Sequence, residues 1–205
     1  SLWVVLQASV LWNLSARGED PPPRPNVVFL YADDHAAWAM GAAGDRDAVT
    51  PSLDRLAREG ARFVNAFTTT PVCSPSRAGM LTGRFSTQVG ISDWINPTTE
   101  PEVGLSASEI TWPELLKSFN YRTALFGKWH QGTAPRFHPT RQGFDAFTGF
   151  LGGGNTPMNP TLEIAGVERK LQGSLPDLLV DEALKWLRGQ RRDQPQTPFL
   201  LAVHF

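Results

Sequence analysis

The sequence predicts an α/β domain with a largely parallel sheet flanked by helices. Apolar runs typical of strands alternate with amphipathic segments typical of helices from about residue 26 to residue 205. Several of the strand-like runs are continuously apolar, as in strands buried on both faces of a parallel sheet. A length of 205 residues with 41% hydrophobic side chains is sufficient for one such core. In this fold class, ligands bind beyond the carboxyl ends of the strands.

The first half of the domain contains three predicted elements. Residues 26–32, NVVFLYA, predict a first strand that is buried on both faces. Residues 50–60 predict a helix, because Thr50 can cap it, Pro51 fits its first turn and Gly60 can stop it. Residues 61–70, ARFVNAFTTT, predict a second strand.

The second half continues the alternation. Residues 111–114, TWPE, form a capping box that predicts the start of a short helix. Residues 123–130, TALFGKWH, predict a third strand, and residues 175–190 an amphipathic helix. Residues 198–205, PFLLAVHF, predict a final strand with no loop or helix after it. We therefore expect the chain to be a truncated part of a longer domain.

Residues 1–23 predict a segment separate from the domain that residues 24–205 form. The segment begins with an apolar run too short to span a membrane and leads into the proline cluster of residues 21–25. This pattern is typical of the apolar part of a secretory signal followed by a proline-rich linker, with a buried helix as the alternative. We expect an exported protein without a stable membrane span.

The composition narrows the possible functions. The 19 basic and 20 acidic side chains give a formal net charge of −1, and this balance does not indicate a protein that binds nucleic acid. Cys73 is the only cysteine, so an intramolecular disulfide is excluded. Metal ligation, nucleophilic chemistry and inert burial remain open for it. Any anion that the protein handles must be bound locally.

Two polar clusters follow predicted strands. Asp33 and Asp34 follow the first strand and could share a ligand only if the chain turns there, because successive strand side chains point to opposite faces. Two convergent carboxylates suit Ca²⁺ or Mg²⁺, whereas capping or a solvated turn is the alternative. Lys128 and His130 are two residues apart on the third strand, which predicts that they share a face. Together they could bind an anion, and the imidazole could transfer a proton.

The single cysteine precedes a predicted helix. Pro75 fits a first helical turn, and the following residues, SRAGMLTG, can continue it. Cys73 would then lie at the positive N-terminal end, where anions are favoured. Arg77, about one turn further on, could reach back toward the same anion. This arrangement suits a nucleophile that attacks a tetrahedral oxyanion.

The stretch CSPSRAGMLTGR resembles the signature of the sulfatases, alkaline-phosphatase-like hydrolases of sulfate esters. PNVVFLYADD resembles the first metal-binding strand of that family, GKWH its lysine–histidine anion site, and QGFDAFTGF the segment that follows. The resemblance covers about residues 24–205 and corresponds to the N-terminal half of a typical member. It implies a truncated N-terminal sulfatase domain with sulfuric ester hydrolase activity.

The resemblance also implies a modified nucleophile. In sulfatases a maturation enzyme oxidises the motif cysteine to formylglycine (3-oxoalanine), whose aldehyde hydrates to a diol. By similarity, one hydroxyl on the modified Cys73 attacks sulfur, and the other is later deprotonated to expel sulfate. Asp33, Asp34 and the modified Cys73 would bind a divalent cation, usually Ca²⁺, with Mg²⁺ possible. The partners would be a sulfate-ester small molecule or a sulfated glycan, and the formylglycine-generating enzyme.

The resemblance gives the remaining site residues roles as well. Arg77 would hold the diol, Lys128 would bind a sulfate oxygen, and His130 would hold the hydrated aldehyde and assist its proton transfers. The family's second metal-binding pair, later lysine and leaving-group histidine have no match here, and His204 is given no role. Gln131 replaces a common leucine, a change expected to affect packing only. The alternatives are phosphonate or phosphate ester hydrolysis, and a catalytically incomplete fragment that acts as a binding module.

Overall fold

The computed structural model of the protein describes residues 24–205, which form one six-stranded sheet with the strand order β1-β6-β2-β3-β4-β5. The strands are β1 (Val27–Tyr31), β2 (Arg122–Lys128), β3 (Ala146–Phe150), β4 (Thr161–Ile164), β5 (Val167–Lys170) and β6 (Phe199–His204). The first four strands in this order pair in parallel, and β4 and β5 add an antiparallel edge. The predicted α/β class with a largely parallel sheet is confirmed. The predicted signal segment, residues 1–23, lies outside the described residues.

Helices pack on both faces of this sheet. The helices of the described residues are α1 (Pro51–Glu59), α2 (Cys73–Thr82), α3 (Trp112–Ser118) and α4 (Leu175–Asp193), of which α1 has no buried residue and lies away from the sheet. Leu125 and Phe126 are adjacent on β2 but belong to different buried clusters, because successive strand side chains point to opposite faces. Leu125 lies in the cluster that contains Leu81 of α2, and Phe126 in the cluster that contains Ala183 of α4. Within residues 24–205, no helix is long and apolar enough to cross a membrane.

The final strand lies in the middle of the sheet. β6 is buried along its whole length and pairs with β1 on one side and β2 on the other. At its end, His204 is in register with Tyr31 of β1 and Gly127 of β2. Since these strands are parallel, their carboxyl ends meet at one edge of the sheet. That edge is where the sequence predicts a ligand site.

Two predictions about the first half are wrong in detail. β1 is an edge strand, and Val28 and Leu30 on one of its faces are more than half exposed. Residues 61–70 form no strand, and Phe63 and Phe67 within them are more than 80% exposed. A strand needs a neighbour to pair its backbone groups, and apolar side chains alone do not supply one.

Strands β3 to β5 were not predicted as strands. β3 contains a glycine, and every side chain of β5 is exposed, so neither has the continuous apolar pattern of a buried strand. The β4–β5 turn places Ala165 and Gly166 at φ values of 52° and 80°. Two positive φ values are typical of a type I′ hairpin turn, which usually carries Asn-Gly or Asp-Gly. Because alanine occupies the first position, the sequence does not show the residue pair that usually predicts this turn.

The capping box at α3 is confirmed and gives a stability prediction. Thr111 Oγ1 accepts from the Glu114 N–H at 3.4 Å, and the Thr111 N–H donates to Glu114 Oε2 at 2.8 Å. Thr111 is fully buried, and its hydroxyl lies 3.0 Å from the Gln142 carbonyl. We expect Thr111→Ala to lower the free energy of unfolding by about 1–2 kcal/mol in urea denaturation. The exposed Thr99→Ala is the matched control, and an equal loss in both variants would contradict a capping role.

Candidate active site

Four of the site residues predicted from the sequence meet at the carboxyl ends of β1 and β2. Asp33 lies just beyond β1, Lys128 ends β2, Cys73 is the first residue of α2, and Arg77 lies one turn further along α2. Asp33 contacts the other three. Its Oδ2 is 2.5 Å from Lys128 Nζ and 3.8 Å from Cys73 Sγ, and its Oδ1 is 3.7 Å from Arg77 Nη2. One carboxylate therefore joins two cations and the candidate nucleophile.

Asp34 lies beside this cluster in a turned backbone. Its φ of 52° is in the left-handed region, so the chain leaves the strand direction immediately after Asp33. This is the condition under which adjacent carboxylates could serve one ligand. Asp34 is exposed, whereas Asp33 is partly buried.

The two cations determine the charge state of Asp33. Burial opposes ionisation of this carboxyl, but the hydrogen bond from Lys128 and the charge of Arg77 together lower the pKa of Asp33 below its ordinary value. The carboxylate is therefore ionised at neutral pH. Asp33 thus faces two basic side chains, Lys128 and Arg77, next to the positive N-terminus of α2.

Arg77 is held rigidly beneath the site. Only 1% of it is exposed, and its Nη1 lies 3.0 Å from the Lys128 carbonyl and 3.1 Å from His204 Nδ1. Its guanidinium carbon is 5.0 Å from the centre of the Tyr31 ring. Among the described residues, Arg77 Nε and Nη2 have no hydrogen-bond partner. Arg77 is thus a fixed positive charge with donors left for an anion or a hydroxyl.

His130 reaches the site by a different route from the one predicted. β2 ends at Lys128, and His130 has a φ of 55°, so the strand alternation that predicted a shared face for Lys128 and His130 does not apply. His130 Nε2 is 2.9 Å from the Ile95 carbonyl, which requires the proton to be on Nε2. Burial, followed by the charges of Lys128 and Arg77, lowers the pKa of His130, against the opposing effect of the Ile95 bond. Nδ1 is buried without a partner in the described part of the chain and can accept a proton.

A buried hydrogen-bond network joins His130 to the start of α2. The Ile95 N–H donates to Ser74 Oγ at 3.0 Å, while the Ile95 carbonyl accepts from His130. Gln131 Nε2 donates to the Ser74 carbonyl at 2.8 Å and to the His130 carbonyl at 2.7 Å. Gln131 therefore does more than fill space, the only effect expected from the sequence. The network fixes the residue after Cys73 and the histidine in one unit.

Sequence reasoning missed His204. Its imidazole is 2% exposed at the end of β6, and Nδ1 lies 3.1 Å from both Arg77 Nη1 and the Lys128 carbonyl. Burial and the charge of Arg77 lower the pKa of His204 to about 3. The available signal was its position: a polar residue at the carboxyl end of an apolar strand. His204 supports Arg77 from below.

The depressed pKa of His204 predicts acid sensitivity. An unfolded histidine has a pKa of about 6.5, so between about pH 6.5 and 3 the unfolded chain binds a proton that the folded chain does not. This group therefore lowers stability as the pH falls, by up to about 1.4 kcal/mol per pH unit. We expect His204→Gln to flatten the dependence of unfolding free energy on pH in this window. An unchanged slope in urea denaturation from pH 7 to 4 would contradict the assignment.

The donor chemistry of the cluster suits part of a metal site. Carboxylates of Asp33 and Asp34 are the ligands that Ca²⁺ and Mg²⁺ prefer, but these ions take six or more oxygen ligands. Within residues 24–205, no group of three or more His, Cys, Asp and Glu side chains could hold a metal. The described residues therefore fit one side of a coordination shell.

Comparison with known proteins identifies the family. Residues 25–205 match the family model described as Sulfatase. The N-acetylgalactosamine-6-sulfatase of Mus musculus is 34% identical over 222 residues, which cover 97% of this chain and 42% of that protein. The ulvan-active sulfatase of Formosa agariphila is 35% identical over 190 residues, covering 90% of this chain and 35% of that protein.

Solved structures agree with this. The crystal structure of Ps i-CgsB has a TM-score of 0.83 at 31% identity, covering 89% of this chain and 45% of that one. The structure of BT4656 with its substrate D-glucosamine-2-N,6-O-disulfate has a TM-score of 0.74 at 32% identity, covering 88% of this chain and 34% of that one. The chain spans less than half the length of these relatives. Because the family model matches almost all of the described residues, the chain belongs to the sulfatase family.

Proposed function

We propose that this chain carries the nucleophile-bearing part of an exported enzyme that hydrolyses sulfate esters of carbohydrates. The observation that carries the proposal is the contact of Asp33 with Cys73, Lys128 and Arg77 at the N-terminus of α2. The substrate class is supported by relatives named for N-acetylgalactosamine 6-sulfate and ulvan, and by a related structure that holds a disulfated glucosamine.

The charges around Cys73 favour a tetrahedral anion. Lys128 is 4% exposed and Arg77 is 1% exposed, so water screens their charges little. The helix N-terminus adds backbone N–H groups beside Cys73. Lys128 would bind a sulfate oxygen. Arg77 would use the N–H groups that have no partner in the described part of the chain to hold the nucleophilic oxygen and neutralise charge that develops on it.

Cys73 would be oxidised to formylglycine by a maturation enzyme, a change that supplies an oxygen nucleophile in place of the thiol. His130, whose Nδ1 has no partner among residues 24–205, would hold that oxygen and carry its proton. Asp33, Asp34 and the modified Cys73 would hold a divalent cation, Ca²⁺ or Mg²⁺, which would polarise the sulfate group. The remaining oxygen ligands would come from outside residues 24–205.

The test uses the full-length protein, produced together with a formylglycine-generating enzyme. Release of inorganic sulfate is measured from N-acetylgalactosamine 6-sulfate, glucosamine 2-N,6-O-disulfate, ethyl sulfate and 4-nitrophenyl sulfate. Hydrolysis of 4-nitrophenyl phosphate and of phenylphosphonate esters is measured in parallel. We expect a sugar sulfate to give the highest kcat/KM, and a chelator to remove the activity. Faster turnover of a phosphate or phosphonate would favour that alternative chemistry. Turnover of none of them by the matured protein would favour a binding module.

A further inference from the structure

We propose that Trp94 forms a wall of the substrate pocket and stacks on the pyranose ring of a carbohydrate sulfate. This rests on the proposed sulfate-ester hydrolysis and adds a residue that recognises the alcohol half of the substrate. The indole is 48% exposed, although it adjoins the most buried part of the site. The cysteine, arginine, lysine and histidine can explain recognition of the sulfate, but none of them explains recognition of the sugar.

The backbone holds Trp94 in place through its neighbour. Ile95 uses its N–H to reach Ser74 and its carbonyl to reach His130, so both of its polar backbone groups are anchored to the site. The Ile95 side chain is 2% exposed and points into the core. The Trp94 N–H donates to Asp93 Oδ1 at 2.7 Å, a local bond within the same segment. The exposed indole is therefore carried by the residue that directly precedes an anchored one.

The indole borders the imidazole that would meet the reacting group. The ring centres of Trp94 and His130 are 6.0 Å apart, with the planes inclined by 52°. Gly153 packs on the same imidazole so closely that a Cβ there would lie 2.6 Å from His130 Cε1. Trp94 and Gly153 therefore both border His130, and of these two Trp94 offers the apolar surface. An ester group attached to sulfate beside His130 would lie next to that surface.

The surroundings favour a sugar over other alcohols. The C–H face of a pyranose can cover the apolar indole, while its hydroxyls can reach the exposed Ser92 and Asp93 on the same segment. A quaternary ammonium could also bind the indole face, but Lys128 and Arg77 in the adjoining cluster would repel it. An aryl ring could stack but has no hydroxyls to reach Ser92 and Asp93, which would then be solvated only by water.

The kinetic test compares Trp94→Ala and Trp94→Phe in the matured full-length enzyme. We expect Trp94→Ala to raise KM for N-acetylgalactosamine 6-sulfate or glucosamine 2-N,6-O-disulfate by about 10-fold, with kcat less affected. Trp94→Phe should recover most of the loss. Ethyl sulfate has no ring to stack, so its kcat/KM should change by less than about 2-fold. Phe119→Ala is the control: this aromatic side chain is 56% exposed and precedes the amino end of β2, at the opposite edge of the sheet.

Each other result has a definite meaning. Equal losses on sugar sulfates and ethyl sulfate would overturn the proposal, because Trp94 would then act only by supporting His130. A loss confined to 4-nitrophenyl sulfate would overturn it in favour of an aryl platform. Calorimetric binding of the two sugar sulfates to Cys73→Ala, with and without Trp94→Ala, needs no turnover. If the enzyme hydrolyses no sulfate ester, this binding comparison still decides the role of Trp94, because equal affinities would reject the stacking contact.

Discussion

Cys73→Ala is expected to abolish sulfate-ester hydrolysis by the matured full-length enzyme, with a loss of about 10⁴-fold or more in kcat. The side chain occupies the first position of α2 and contacts Asp33, and no other described cysteine can replace it. Alanine is a good helix former, and Cys73 is only partly buried, so the fold should survive. Release of inorganic sulfate and a thermal unfolding curve are measured on the same preparation.

Two controls separate chemistry from structure in this experiment. Ser118→Ala, at the end of α3, removes a hydroxyl that donates only to the Leu115 carbonyl and should leave kcat unchanged. Peptide mass spectrometry of the wild-type protein should show that –CH₂SH at position 73 has been replaced by –CHO. A protein that turns over rapidly while position 73 remains a thiol would contradict formylglycine chemistry but not sulfatase family membership.

The sequence predicted the elements that hold the site better than it predicted the edges of the sheet. β2 and β6 are buried along almost their whole length, and their continuous apolar runs predict this burial. β1 is equally apolar, but as an edge strand it leaves Val28 and Leu30 exposed. β5, with four exposed side chains, is defined by its pairing with β4. Pairing depends on what the rest of the chain places nearby, so a pattern of local polarity does not reveal it.

The candidate site shows the same division. The positions of Asp33 and Lys128 follow from a rule about parallel strands, and that of Cys73 follows from the predicted start of a helix. The structure brings the three within contact distance. The links made by Ile95 and His204 could not be predicted, because they join segments far apart in sequence through backbone carbonyls and a buried ring. Such contacts depend on packing geometry and not on a spacing of residue types.

Removal of the Lys128 ammonium, which pairs with Asp33, is the second change expected to have a large effect on activity. Lys128→Met keeps the apolar stem of the side chain and removes the ammonium, which is expected to lower kcat/KM by about 10²–10³-fold. The free energy of unfolding should change by less than about 2 kcal/mol, below the usual cost of breaking a buried pair. The reason is that Asp33 is 30% exposed and keeps Arg77 at 3.7 Å, so its carboxylate is not left without a cation.

Lys117→Met is the matched control for this change. Lys117 Nζ also pairs with an aspartate, Asp145 Oδ1 at 2.9 Å, but this pair joins α3 to the residue before β3, away from the carboxyl ends of the strands. Lys117 is 40% exposed, so its removal should cost little stability and no activity. If both variants kept wild-type kcat/KM, the ammonium of Lys128 would have only a structural role. A loss confined to Lys128→Met, with little change in stability, would mean that the same ammonium that neutralises Asp33 also acts on the sulfate in the transition state.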